Sequence, residues 1–353
     1  VENKKYNVLV VDDSSFMRKC ITALIQKDQR FNVIDIARNG LEAIEKIKKY
    51  KPDLVTMDVE MPEMDGITAV ELIMKENPLP IVMLSNHTEE GAITTLRALE
   101  LGALDFFLKS ELVKEETNEE LINDFLYRLI TIVENAKIPT IEKDNTYNEE
   151  ELIISKKNID NLIEIIIIGC STGGPAALQN ILPQFQKDIN IPILVLQHMP
   201  PGFTKSLAER FDKICNLSVK EAEDGEILKE GYIYIAPSGY QTIFKKSLEG
   251  KIAFKIEDIN SEEILYKPSI NVTLNSAAFH FKDKMIISIL TGMGNDGLEG
   301  CRLAKKFNAR IITESEETCV VYGMPKVVYE AGLSDAQVSL QKIYQQIMQF
   351  LVK

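Results

Sequence analysis

Ile165-Ile166-Ile167-Ile168-Gly169-Cys170-Ser171-Thr172-Gly173-Gly174-Pro175 is the stretch from which the rest of the chain can be read. An unbroken run of branched apolar residues suits a strand covered on both faces, because it leaves no solvent side. The run stops at a glycine turn, and a helix follows it at 177–182. Strand, tight turn and helix in that order are one step of an α/β sheet. The turn also exposes a serine at the carboxyl end of the strand, beside backbone N–H groups that can stabilise an oxyanion. Ser171 is therefore the best nucleophile candidate in the chain, and it needs a base. Only three histidines are present: His87, His198 and His280.

Outward from this step, residues 164–168, 192–196, 231–235 and 285–290 read as strands and 177–182, 204–215, 271–278 and 298–307 as helices. Residues 218–257 suggest several short strands with Gly225, Gly231, Gly239 and Gly250 at turns, the pattern of an antiparallel excursion or edge hairpin. His198 follows the strand at 192–196, so adjacent parallel strands would bring it near Ser171. His87 lies in the other half beside Ser85, and His280 ends an apolar helical stretch, where a satisfied core or surface histidine is the simpler reading. Asp296, within Thr291-Gly292-Met293-Gly294-Asn295-Asp296-Gly297, sits at another strand end. It can orient the imidazole, or it can cap the helix that follows, and both readings stay open. The glycines would also suit the phosphate-binding turn of a dinucleotide fold, but the G-x-G-x-x-G order is absent. A purely structural glycine turn is the remaining alternative.

The amino-terminal half alternates in the same way, with strands at 6–11, 33–37, 54–57, 81–84 and 104–108. Helical periodicity covers 14–28, 40–49, 67–76 and 88–101, and a closing helix covers 119–136. Five such units make a doubly wound parallel sheet. Asp12 and Asp13 follow the first strand, Asp58 the third, Ser85 the fourth and Lys109 the fifth, so all five meet at the sheet edge where such folds bind ligands. Crowded carboxylates repel, and a hard divalent cation such as Mg²⁺ resolves that conflict. The set suits phosphoryl transfer onto a carboxylate: Asp58 attacks in line, Lys109 and the metal neutralise phosphoryl charge, and Ser85 bonds to the product. Each residue alone also has a plain reading, Asp12-Asp13 as a helix cap and Lys109 as a surface ion pair. Between the halves, residues 137–160 are rich in Glu, Asp, Asn and Lys and contain Pro139. They read as a linker in which residues 151–154 can pair or dock locally.

The length of 353 residues suits about two domains. With 45% apolar and 26% charged residues, each half can bury a core. A net charge of −13 argues against a chain built to grip phosphate backbones, so no nucleic-acid partner is expected. The five cysteines are scattered and never form C-x-x-C, which favours neither a disulfide framework nor a zinc site. Apolar stretches fall short of the roughly 18 residues of a membrane span, and the first residues lack a signal-peptide profile. The expected compartment is the cytoplasm, without membrane insertion.

Residues 6–136 resemble a response-regulator receiver domain on three segments: Val10-Val11-Asp12-Asp13-Ser14, Met57-Asp58-Val59-Glu60-Met61-Pro62 and Phe107-Leu108-Lys109. The resemblance implies Asp58 as phosphoacceptor and Asp13 and Asp58 as Mg²⁺ ligands, with Asp12 in support and the Glu60 carbonyl contributing. It also implies Ser85 and Lys109 as switch residues and Phe106 as the aromatic that changes packing. Receivers usually carry Pro after the lysine; Ser110 here puts the usual cis peptide in question.

Residues 161–353 resemble the catalytic domain of CheB-type chemotaxis methylesterases. The match lies in Gly169–Gly174, in Gln197-His198-Met199-Pro200-Pro201-Gly202-Phe203-Thr204 and in Thr291–Gly297, with Cys170 where alanine is more often seen. It implies Ser171 as nucleophile, His198 as general base and acid, Asp296 as orienter, backbone at Thr172 and Met293 as oxyanion site, and no cofactor in this domain. Taken together, the resemblances imply a phosphorylation-controlled carboxylesterase acting on glutamate γ-methyl esters of chemoreceptor cytoplasmic helices. They further imply glutamine deamidation by the same chemistry, a histidine kinase as phosphodonor and a receiver that restrains the esterase until phosphorylated. The rival readings are a signalling adaptor with an inactive esterase fold and a DNA-binding response regulator. The second is opposed by the acidic composition and the lack of an evident helix-turn-helix.

Overall fold

Val8 to Val11 have essentially no solvent exposure, as a strand covered on both faces requires. The computed structural model describes residues 4–86, 88–113, 119–135, 163–259 and 265–352. The chain divides into two compact units, Val1–Ile138 and Pro139–Lys353. The linker expected at 137–160, its stretch 151–154, the start of the second module at 161 and His87 all lie outside the described residues.

In the first unit, β1 (Tyr6–Val11), β2 (Phe31–Ala37), β3 (Leu54–Asp58), β4 (Ile81–Ser85) and β5 (Asp105–Leu108) form one parallel sheet in the order β2-β1-β3-β4-β5. The helices are α1 (Ser15–Ile25), α2 (Gly40–Tyr50), α3 (Gly66–Glu76), α4 (Glu89–Glu100), the short α5 (Lys109–Leu112) and α6 (Glu119–Asn135). Side chains of Ser14, Asn39, Asp65 and Thr88 accept from backbone N–H groups in the first turns of α1 to α4, which fixes where each helix leaves its loop. Gly66 matters for the edge: a Cβ there would lie 1.9 Å from the Asp58 carbonyl oxygen, so only glycine lets α3 start against the end of β3. The strand order reverses between β1 and β3, which opens a crevice at their carboxyl ends.

The second unit has a seven-stranded sheet, all parallel, in the order β14-β13-β12-β6-β7-β9-β8. Its strands are β6 (Ile165–Cys170), β7 (Ile193–Gln197), β8 (Ser218–Glu221), β9 (Tyr232–Ile235), β12 (Met285–Ile289), β13 (Arg310–Glu314) and β14 (Ala336–Val338). A separate antiparallel hairpin joins β10 (Gln241–Lys246) to β11 (Ile252–Glu257). The helices are α7 (Gly174–Ile181), α8 (Phe203–Ile214), α9 (Ile270–Phe281), α10 (Leu298–Lys306), α11 (Met324–Glu330) and α12 (Leu340–Leu351). All four isoleucines of β6 are fully buried, each contributing about 1.5–3 kcal/mol by leaving water. The antiparallel excursion expected over 218–257 consists of β10 and β11 with an antiparallel bridge from Ile227 to Ala253 of β11, while β8 pairs in parallel with β9 and extends the main sheet. The hairpin docks on α9: Phe244 meets Phe281 edge to face at 5.0 Å, and Thr273 Oγ1 donates to the Thr242 carbonyl at 2.6 Å. This docking places Gln241, at the head of β10, beside the site described next. No helix among the described residues is long and apolar enough to cross a membrane.

Candidate active site

The tips of β6, β7 and β12, neighbours at the centre of the second sheet, converge at one edge. Ser171 follows β6 directly. Its N–H donates to the Thr291 carbonyl beyond β12 at 3.0 Å, and its own carbonyl accepts from Gly174 N–H at 2.7 Å, which closes the tight turn. His198 follows β7, and its N–H donates to the Cys170 carbonyl at 3.1 Å. A Cβ on Gly292 would lie 2.8 Å from the Ser171 Cβ, so the turn beyond β12 packs against the serine. Thr172 follows the serine and Met293 follows Gly292, both buried.

His198 Nε2 lies 2.9 Å from Asp296 Oδ2, and both side chains are buried. A carboxylate can only accept, so Nε2 carries the proton and Nδ1 keeps its lone pair. Nδ1 is buried without a hydrogen-bond partner, and among the described residues the Ser171 hydroxyl forms no hydrogen bond with the ring. Asp296 also accepts from Ile270 N–H at 2.7 Å, Asn271 N–H at 2.9 Å, Ser269 Oγ at 3.0 Å and Gly297 N–H at 3.1 Å. Burial alone would raise its pKa; the hydrogen bond from His198 and the backbone donors of α9 outweigh burial and hold the carboxyl below its ordinary range. Capping is part of its geometry, chiefly at the start of α9, with Gly297 N–H at the head of α10 as a further donor. Asn271 returns the favour, its Oδ1 accepting from Gly297 and Gly300 N–H at 3.0 and 2.8 Å. His280 lies outside this cluster, with Nε2 3.0 Å from the Phe244 carbonyl oxygen.

In the first unit, the carboxylates of Asp12, Asp13 and Asp58 bring one oxygen each within 4.8 Å of the others. Lys109 Nζ sits 2.8 Å from Asp12 Oδ2 and 2.6 Å from Asp58 Oδ2. Burial pushes Asp58 up to about 6, with the Asp12 charge adding to the rise and the Lys109 charge opposing it. Burial pulls Lys109 the other way, but Asp58 and Asp12 raise it above its ordinary value. Crowded, oxygen-only donors of this kind, Asp12 and Asp58 buried and Asp13 exposed, suit a hard divalent cation, so the three carboxylates could hold a metal ion. Glu60 N–H points back to Asp58 Oδ1 at 3.4 Å. Ser85 is fully buried and faces α4: Thr95 Oγ1 lies 2.8 Å from Ser85 Oγ and 2.6 Å from the Gly91 carbonyl oxygen. Phe106 is buried in β5. Lys109–Ser110 is a trans bond; the cis peptide among the described residues is Lys267–Pro268.

A response-regulator receiver domain model matches residues 8–122 and a CheB methylesterase model matches residues 166–347. The chain belongs to the CheB methylesterase family. Among its CheB-family relatives, a protein-glutamate methylesterase/protein-glutamine glutaminase of Halalkalibacterium halodurans is 42% identical, over 98% of this chain and 98% of that protein. One of the same description from Colwellia psychrerythraea is 40% identical over 96% of this chain and 97% of the relative. The CheB methylesterase catalytic domain of Thermotoga maritima, a crystal structure, is 44% identical and superposes with a TM-score of 0.51 over 53% of this chain and 98% of its own. The second unit is thus a CheB hydrolase domain, and the first a response-regulator receiver.

Several residues that hold this site carry no role in the sequence reading. Gln197 directly precedes His198 and is buried; its Nε2 donates to the carbonyls of Ser171 at 3.0 Å and His198 at 2.9 Å, while its Oε1 accepts from Cys170 Sγ at 3.1 Å. One amide thus ties the two strand tips together. Glu314, at the end of β13, is buried and accepts from Thr291 N–H at 2.8 Å; burial raises its pKa. Gln197→Ala cuts the link between the two strand tips, leaving the Ser171 carbonyl with Gly174 N–H alone and the His198 carbonyl without its amide donor, and is expected to lower hydrolytic turnover by about 10- to 100-fold, the scale of a small misplacement. Gln197→Glu, which cannot donate, should be no better than Gln197→Ala; steady-state kinetics of the two variants check this.

Proposed function

We propose that the chain is a phosphorylation-controlled carboxylesterase that hydrolyses glutamate γ-methyl esters on the cytoplasmic helices of chemoreceptors. The observation that carries the reading is the buried His198–Asp296 pair, which leaves Nδ1 as a lone pair beside the strand tip that bears Ser171. Ser171 Oγ attacks the ester carbonyl while His198 Nδ1 takes its proton, and backbone N–H groups at Thr172 and Met293 receive the oxyanion. The proton passes to the departing methanol, and water then releases glutamate from the acyl-enzyme by the same relay. A glutamine side chain entering the same site loses ammonia in place of methanol. The relatives named for both activities support this extension.

In the receiver, Asp58 accepts the phosphoryl group from a histidine kinase. Asp13, Asp58 and the Glu60 carbonyl would hold Mg²⁺ with Asp12 in support, and the ion supplies positive charge against the phosphoryl oxygens. Lys109 adds a second positive charge, and Ser85 turns from Thr95 toward the phosphorylated product while Phe106 repacks. The test is methanol release from methylated receptor membranes with and without acetyl phosphate and Mg²⁺. The phosphodonor should raise the rate in the wild-type protein and leave Asp58→Ala unchanged. An equal rise in Asp58→Ala would refute the link between receiver and esterase.

A further inference from the structure

Tyr266 reaches the catalytic edge from the segment leading into α9, which carries none of the motif residues. Its ring lies parallel to the His198 imidazole, with centroids 4.1 Å apart and planes 5° apart. A Cβ on Gly294 would lie 3.5 Å from Tyr266 Oη, so the phenol spans from the base to the turn that carries Met293. The backbone beneath the ring is clamped. Gln241, without solvent exposure, donates from Nε2 to the Tyr266 carbonyl at 2.7 Å and accepts on Oε1 from Ser269 N–H at 2.8 Å. Ser269 Oγ in turn donates to Asp296 Oδ1 at 3.0 Å, and the Lys267 carbonyl accepts from Gly239 N–H at 3.0 Å. One short segment therefore sets both the face of the imidazole and the orientation of its carboxylate.

We propose that Tyr266 is a positioning residue for hydrolysis, whose ring face holds the His198 plane and favours the imidazolium formed when His198 takes the Ser171 proton. The neutral imidazole gains only stacking from the ring. Once Nδ1 is protonated, the positive ring faces the electron-rich π surface and gains a cation–π attraction, with Asp296 on Nε2 as the opposing charge. The gain is larger in the transition state than in the resting site, so it acts on kcat more than on KM. Tyr266 exchanges no proton: the proton leaves Ser171 Oγ for Nδ1 and then departs with the leaving group.

This inference rests on the Ser171–His198 reading of the site, and its test separates the two. In the full-length protein, the rate of Ser171 labelling by an alkyl fluorophosphonate reports base-assisted attack, and methanol release gives kcat and KM. Tyr266→Phe keeps the ring and should stay within about twofold of wild type. Tyr266→Leu should lose about three- to thirtyfold in both labelling rate and kcat, with KM little changed. Tyr266→Met provides the same ring-free comparison if the leucine variant does not fold. Wild-type rates in the ring-free variants, or equal impairment of Tyr266→Phe, would overturn the role of the ring. A wild-type protein unlabelled at Ser171 would instead overturn the serine reading and the proposal with it.

Discussion

Ser171→Ala should lower methanol release from methylated receptor by about 10⁶-fold while leaving the fold in place. The expectation follows from which Ser171 atoms bind their surroundings. Its N–H and carbonyl are engaged with Thr291, Gly174 and Gln197, and alanine retains every one of these backbone bonds. Its hydroxyl forms no hydrogen bond among the described residues and the residue is part-buried, so its loss strands no hydrogen-bonded partner. A thermal melt within about 0.5 kcal/mol of wild type, together with the loss of turnover, would separate chemistry from folding. Residual rate above the uncatalysed reaction should persist, because the oxyanion donors at Thr172 and Met293 and substrate binding remain. Turnover close to wild type would place the nucleophile elsewhere and end the serine mechanism.

The parts of this molecule legible in the sequence are those written in local pattern. Four isoleucines running into Gly169 identify β6, and carboxylates at successive strand ends, Asp12, Asp13 and Asp58, converge because parallel α/β sheets deliver strand ends to one edge. What escaped was set by topology. Tyr266 stacks on His198 and Gln241 clamps Tyr266 across intervals of sequence that carry no periodic signal, and neither residue type is a customary acid, base or nucleophile. β14 has three residues and β13 five, too short for alternation to stand out, and the sequence reading assigned no element beyond residue 307. Nor does pattern reveal that β8 pairs in parallel with β9, since a strand of four residues reads alike in either direction. Cap and orienter looked like alternatives for Asp296 because the sequence shows only α10 beside it; the fold brings the start of α9 to the same carboxylate.

Asp296→Asn is expected to lower turnover by about 10⁴-fold, because the amide fails in either orientation. Asp296 uses both oxygens as acceptors: Oδ2 faces His198 Nε2 and Ile270 N–H, and Oδ1 faces Ser269 Oγ, Asn271 N–H and Gly297 N–H. With the amide NH₂ toward the ring, Nε2 must become the acceptor. The proton then moves to Nδ1, which can no longer take one from Ser171. With the amide oxygen toward the ring, the NH₂ meets the N–H groups of Asn271 and Gly297, and backbone donors at two helix starts lose their acceptor. That orientation costs roughly 1–3 kcal/mol per stranded group, so the variant should also melt earlier. The pH dependence of folding should change with it. Asp296 is held below its ordinary value of 3.8, so its ionised form contributes stability above that value which is lost as pH falls through the lower folded value. Asparagine does not titrate there, and the gap in stability between wild type and variant should narrow in acid. Kinetics at neutral pH combined with melts down an acid series measure both effects. A variant within tenfold of wild-type turnover would show that Asp296 caps α9 without orienting His198, leaving Ser171 and its base to act without a fixed carboxylate.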